Sequence, residues 1–155
     1  MKLYILFFLF AIGTISANAG NQVIVDKQAL KLHVLNETGD TLFTAPVCCG
    51  KNLGHKQKRG DMRTPEGTFA ITQIQDSRLW KHDFGDGAGM RDGAYGPWFI
   101  RLKTPPFTGI GIHGTCFPER QGTRDSEGCV RLHNNDMEQL VELVQPGDQC
   151  TILPD

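Results

Sequence analysis

The sequence predicts a mainly β domain, a β-sandwich or half-open barrel with one short C-terminal helix. Three observations carry this. Short runs of alternating, β-branched residues recur along the chain. Turn signals separate them, and only one segment has an apolar stripe at helical spacing.

The opening "MKLYILFFLFAIGTISANA" precedes the first of these runs. Lys2 is followed by an apolar stretch to about Ile12, and Ala17-Asn18-Ala19 places small residues at A-x-A positions. That is the pattern of a cleavable export signal, with an apolar core short for a bilayer span. Residues 1–19 are therefore read as a signal peptide and 20–155 as one domain, exported to the periplasm or cell envelope of a bacterium. No other segment is apolar enough to suggest a membrane span.

"QVIVD" comes first among the strands, and "ALKLHVL" follows, with Leu30, Leu32 and Val34 facing one way. Gly39-Asp40 marks a turn, so Leu30 to Val47 reads as a hairpin. "GTFAITQIQ", "GPWFIRLK" and the Gly-rich "GIGIHG" are three further strands. Between them Trp80 to Gly96 has no period and reads as a long loop, a candidate lid with Tyr95. "NNDMEQLVELVQ" is the helix, with Asn135 as its cap and Met137, Leu140, Val141 and Val144 as its stripe. Pro146-Gly147 stops it, and "QCTIL" returns as a strand.

Charge excludes some functions. Without Lys2, fifteen basic side chains face seventeen acidic ones, a balance that does not suit a nucleic acid or an anionic membrane as main partner. A monomer is expected. There are five cysteines, Cys48, Cys49, Cys116, Cys129 and Cys150. In an oxidising compartment cysteines pair, and an odd number leaves one thiol over.

The stretch "HGTCFPERQGTRDSEGCVRL" concentrates the chemistry. His113, Cys116, Cys129 and His133 have spacings resembling two-by-two zinc ligands, although thiolate zinc sites belong chiefly to reducing compartments. A Cys116–Cys129 disulfide is a structural alternative. The third reading makes Cys129 a nucleophile and His113 its base: the thiolate attacks, and a histidine that takes its proton supplies it. Gly128 allows a tight turn before the cysteine, and Ser126 could brace that turn.

"IHGT" followed by "SEGCVRL" resembles the signature of the YkuD-type L,D-transpeptidase catalytic domain, a His-Gly pair followed by Ser-x-Gly-Cys-[Ile/Val]-Arg. "GDMRTPEGTF" and "GPWFIRL" are similar to further stretches of that family, and the likeness runs from about Val23 to Leu153. The resemblance implies a mostly β fold with neither metal nor cofactor. It implies that Cys129 attacks a peptidoglycan stem peptide, with His113 as base and the Gly114 carbonyl fixing the imidazole tautomer. It places the backbone amides of Gly128 and Cys129 in an oxyanion hole and sets Arg131, Ser126 and Thr115 against the substrate. Donor and acceptor stem peptides would be the partners, and 3→3 cross-links or exchange of the terminal D-amino acid the outcome. An L,D-carboxypeptidase or endopeptidase on the same thioester, or a non-catalytic, disulfide-stapled wall-binding domain, are the alternatives.

The chain departs from the family's pattern at Glu127, where a histidine is frequent. A carboxylate there tends to raise the thiol's pKa. Cys116 beside the HGT is also unusual. Of the remaining cysteines, one of Cys48 and Cys49 is expected to bridge to Cys150, since adjacent strand residues face opposite ways. "TPEG" is expected to be a structural turn, and His33, His55 and His82 to be solvated.

Overall fold

A computed structural model describes residues 20–155. The expected signal peptide, 1–19, lies outside the described residues. Strand β1, Gln22–Asp26, alternates as the sequence requires: Val23 and Val25 are fully buried while Gln22 faces solvent. It pairs antiparallel with β2, Lys31–Leu35, which pairs with β3, Thr41–Pro46, so the predicted hairpin is present. Its turn is held by Asn36, whose Oδ1 accepts from the amides of Thr38 (3.0 Å) and Asp40 (2.8 Å). Strand β4, Cys49–Gly50, is short and lies apart from this hairpin.

The curl of the sheet comes from β5, Gly67–Asp76, the longest strand. A register irregularity lies between Ile71 and Gln73 in its pairing with β8, Trp98–Leu102. Its N-terminal half pairs instead with β12, Gln149–Ile152. One long strand thus serves two neighbours in succession, and a bulge adds bend and twist where they change over. The loop expected between Trp80 and Gly96 folds in part into a two-stranded hairpin, β6 (Lys81–Asp83) and β7 (Met90–Asp92). After β8 come β9, Gly111–His113, then β10, Arg124–Ser126, and β11, Val130–Arg131. The main sheet runs β11-β9-β8-β5-β12-β1-β2-β3, and β10 pairs with β4.

Helix α1, Asn134–Leu143, covers the core with Met137 and Leu140, both fully buried, and Val144 follows just after its end. It starts one residue before the expected cap. Position 133 is the cap, with no side-chain bond, so Asn135 does not cap it. Trp98 ties the helix to β8 by donating from Nε1 to Glu138 Oε2 at 2.7 Å. The core joins Val23, Leu32, Ile71, Ile100, Ile112, Val130, Leu132 and Ile152 from the main sheet and its edge to this helix face. Each such buried side chain contributes about 1.5–3 kcal/mol relative to exposure.

The expected bridge to Cys150 is corrected: all five cysteines are free thiols. Backbone bonds with Arg131 tie Cys48, just before β4, to the β11 edge, whereas Cys150 lies in β12 between β1 and β5. Burial pushes both Cys49 and Cys150 up to about 12, which keeps them protonated and inert. "TPEG" is structural: Thr64 Oγ1 accepts the Gly50 amide at 2.9 Å, and Glu66 pairs with buried Lys27 at 2.7 Å.

Candidate active site

Two adjacent parallel strands bring the candidate residues together. His113 ends β9 and Cys129 immediately precedes β11, and Arg131 on β11 is level with His113. The sixteen-residue separation in sequence therefore closes at one edge of the sheet. A cavity of about 330 Å³ opens there, and Cys129, His113 and Arg131 all line it.

His113 is buried and held in place. Its Nδ1 donates to the Gly114 carbonyl at 2.6 Å. A carbonyl only accepts, so the proton sits on Nδ1 and the Nε2 lone pair is left to act as a base. Phe99 stacks on the ring at 5.4 Å and 10°, and Tyr95 packs at 4.9 Å. Desolvation, the nearby Arg131 guanidinium and His82 lower its pKa to about 3, against the opposing Gly114 bond, so it is neutral at physiological pH. Gly114 has no room for a side chain: a Cβ would lie 2.9 Å from Gly96 Cα.

Cys129 is half-buried and lines the cavity, and its thiol points toward the Gly109 carbonyl at 3.5 Å. Desolvation raises its pKa. The Gly111 amide, Arg131 and Lys56 oppose this, and Glu127 adds to it. The resting pair is therefore thiol and neutral imidazole, so a reaction at the sulfur would have to move its proton.

Ser126, Gly128 and Thr115 are all engaged in hydrogen bonds within the protein. Ser126 is fully buried: its Oγ donates to the Cys129 carbonyl at 2.5 Å and accepts the Gly128 amide at 3.1 Å. It braces the turn and does not face the cleft. The Gly128 amide is thus engaged by Ser126 within the turn. Thr115 is also buried, its amide donating to Asn134 Oδ1 (2.8 Å) and its Oγ1 accepting from the Phe117 amide (2.9 Å). Thr115 thus anchors the loop after the histidine.

The glycine at 128 is required for shape. Its φ is +135°, and a Cβ there would lie 2.8 Å from the Arg63 carbonyl. Gly128→Ala is expected to destabilise the domain by about 1–3 kcal/mol and to misplace the sulfur. Thermal melting, together with the rate of Cys129 alkylation, measures both effects.

Arg131 is 4% exposed, and its Nε and Nη1 have no hydrogen-bond partner. Asp125 lies 3.9 Å from Nη1, a long ion pair, and Phe84 lies under the guanidinium at 5.3 Å. A buried cation with idle donors suits a carboxylate ligand. Lys56, Arg59, Met62, His82, Phe84, Tyr95 and Glu127 also line the cavity. The sequence reading assigned His82 to solvent. In the structure its Nε2 lies 3.0 Å from Glu127 Oε2 and its Nδ1 3.2 Å from the Tyr95 hydroxyl. Strand alternation in "WKHDF" turns His82 away from Lys81 and Asp83, but the direction of that face is set by the hairpin's docking. His133 is the cap position of α1, and no cluster of three or more potential metal-ligating side chains exists among the described residues.

The curled sheet and its helix set a thiol and an oriented imidazole at one sheet edge, facing one cavity. The family profile of the L,D-transpeptidase catalytic domain, YkuD, matches residues 20–152, and the chain belongs to that family. The chain is 30% identical to YkuD of Bacillus licheniformis over 120 residues, 77% of this chain and 58% of that protein. It is 31% identical to YqjB of Bacillus subtilis, covering 86% of this chain and 71% of that one. Both carry L,D-transpeptidase names. Among solved structures, the helical cell shape determining protein Pgp2 of Campylobacter jejuni superposes with a TM-score of 0.63 at 23% identity, covering 90% of this chain and 52% of that one. L,D-transpeptidase 3 of Mycobacterium tuberculosis, solved with a faropenem-derived adduct, gives 0.63 at 15% identity, with 86% and 60% covered. The chain thus spans between half and about seven tenths of these proteins. The family's substrates are peptidoglycan, which places its members' work at the cell envelope. Among the described residues no helix is long and apolar enough to cross a membrane.

Proposed function

We propose that this protein is an exported L,D-transpeptidase that joins peptidoglycan stem peptides through a thioester on Cys129. The observation that carries the reading is the oriented, neutral His113 sharing one cavity with Cys129 and the idle guanidinium of Arg131. The sulfur attacks the carbonyl carbon between the third, L-centred residue of a donor stem and the fourth, D-residue, and its proton passes to His113 Nε2. The Cys129 amide faces the developing oxyanion. The C–N bond breaks, His113 returns the proton to the departing amine, and a thioester remains. An acceptor amine then attacks the thioester, loses a proton to His113 and restores the thiol as the new amide forms. Water in its place gives carboxypeptidase activity.

Arg131 supplies the recognition, holding a stem carboxylate with Nε and Nη1. Arg131→Met is expected to cost about 2 kcal/mol in kcat/KM, roughly thirtyfold, chiefly through KM. Steady-state kinetics on tetrapeptide stems measure it, and an unchanged KM would remove Arg131 from substrate binding. The function itself is tested by incubating the protein, freed of residues 1–19, with tetrapeptide muropeptides and identifying products by mass spectrometry. Cross-linked dimers with loss of the terminal D-residue are expected. Tripeptides alone would assign a hydrolase, and unaltered muropeptides would reject both.

A further inference from the structure

Glu127 poses a physical problem in this cavity. It precedes Gly128 and Cys129, and its carboxylate opposes ionisation of the sulfur. Two cations act the other way, Arg131 on β11 and Lys56, whose ammonium is itself committed to Asp61 at 2.8 Å. The Gly111 amide also favours the thiolate. Against that background the carboxylate is not left loose. His82 reaches it from the β6–β7 hairpin, an element that otherwise stands apart from the main sheet. The second ring nitrogen of His82 meets the Tyr95 hydroxyl, and Tyr95 packs on the ring of His113. Phe84 meets the His82 ring edge-on at 4.6 Å. Arg91 is the strand partner of His82, and its guanidinium is engaged by Asp86 at 2.8 Å. The imidazole is thus held on both nitrogens and on one face.

We propose that His82 is a positioning residue for the acyl-transfer reaction: it anchors Glu127 through a hydrogen bond and so limits the carboxylate's repulsion of the Cys129 thiolate. The proposal rests on the reading of Cys129 as the nucleophile. An N–H donated to Oε2 draws carboxylate charge onto the oxygen directed at the hairpin. It also fixes the rotamer of a side chain that is otherwise 40% exposed and free to swing along the turn. Tyr95 completes the arrangement. When its O–H is donated to Nδ1, the proton of His82 lies on Nε2, the nitrogen that faces Glu127. The same tyrosine is packed on His113, so the chain Glu127–His82–Tyr95 connects the hairpin to the catalytic base. Docking of the hairpin over the cavity and readiness of the sulfur are then one event.

The test is the pH dependence of Cys129 alkylation by iodoacetamide, followed by peptide mapping so that Cys116 is counted separately. It compares the parent with His82→Ala, Glu127→Gln and the double variant, with thermal melting of each. His82→Ala is expected to move the midpoint of the Cys129 profile to higher pH and to slow alkylation at neutral pH about tenfold, equivalent to one pH unit. Glu127→Gln is expected to react at least as fast as the parent. The double variant is expected to recover the parent's rate, because the charge that His82 restrains is gone. His82→Gln, which keeps an N–H donor, should recover part of the loss. A purely structural His82 would instead leave the double variant as slow as His82→Ala, and that result would overturn the proposal, as would an unchanged profile in His82→Ala. The readout uses no stem peptide, so a failure of transpeptidation with muropeptides leaves it decisive on its own terms.

Discussion

Cys129→Ala is expected to abolish turnover and covalent trapping together while leaving the fold intact. The sulfur is the only heavy atom lost, Cys129 is half-buried at the cavity, and the core rests on the sheet and α1. His113→Ala should also remove turnover, by 10²–10⁴-fold or about that range for a lost general base, but a slow acylation should persist through the weakly ionised thiol. The probe is a carbapenem, with intact-mass analysis for a single adduct and peptide mapping to Cys129. The pH dependence follows from the shifts. His113 is lowered to about 3 from its ordinary 6.5, so its capacity as a base survives well below pH 6.5 and is lost only as pH falls toward the lowered value. Cys129 is raised above its ordinary 9.0, so direct thiolate chemistry grows only above that pH. The acylation rate should therefore show no loss near pH 6.5. Cys116→Ser and His133→Ala should keep most activity. Equal loss of stability in the Cys116, Cys129, His113 and His133 variants, with stoichiometric zinc in the parent, would reject the assignment.

The second large effect is expected at Asp61, in the loop that walls the cavity. Its Oδ1 accepts from Lys56 Nζ at 2.8 Å and from the Arg63 amide at 3.2 Å, and its Oδ2 from the amides of Gln57 (2.6 Å) and Lys58 (3.1 Å). Lys56 is 5% exposed, so Asp61→Ala leaves a buried ammonium without its counter-charge. A loss of about 3–5 kcal/mol is expected. Lys56, Arg59, Gly60 and Met62 line the cavity, so substrate binding should fall with it. Desolvation raises the Asp61 carboxyl, but the ammonium and the three amides outweigh it and hold the group well below its ordinary 3.8. A depressed folded-state value means that this stabilisation is complete above the ordinary carboxylate range and is lost as pH falls through and below it. Chemical denaturation of parent and Asp61→Asn at pH 7 and pH 3 measures this: the difference between them should shrink in acid.

Much of the site was legible because it is local. His113-Gly114 holds both an imidazole and the carbonyl that orients it. Gly128-Cys129-x-Arg131 holds a turn, a sulfur and a cation within four residues. The buried hydrogen bonds of Ser126 and Thr115 were not legible, for a physical reason: a hydroxyl reads the same in sequence whether it faces a cleft or satisfies buried backbone. Only the packing of the 126–129 turn and the approach of Asn134 decide that. The cysteine pairing failed likewise, because alternation says which face Cys49 and Cys150 take but not how far apart their strands lie in the sheet.

The sequence by itself determined the mainly β class, most of the strands, the single helix and the adjacency of imidazole and orienting carbonyl, all properties of spacing along one strand or turn. The tertiary structure alone decided that β9 and β11 lie side by side, which turns a sixteen-residue interval into one edge. It also decided that Lys56, His82 and Tyr95, from loops and a hairpin far along the chain, line one cavity with Cys129. Hydrophobic alternation encodes which side of a strand is buried. The bulge in β5 and the docking of the β6–β7 hairpin decide which polar residues then face one another.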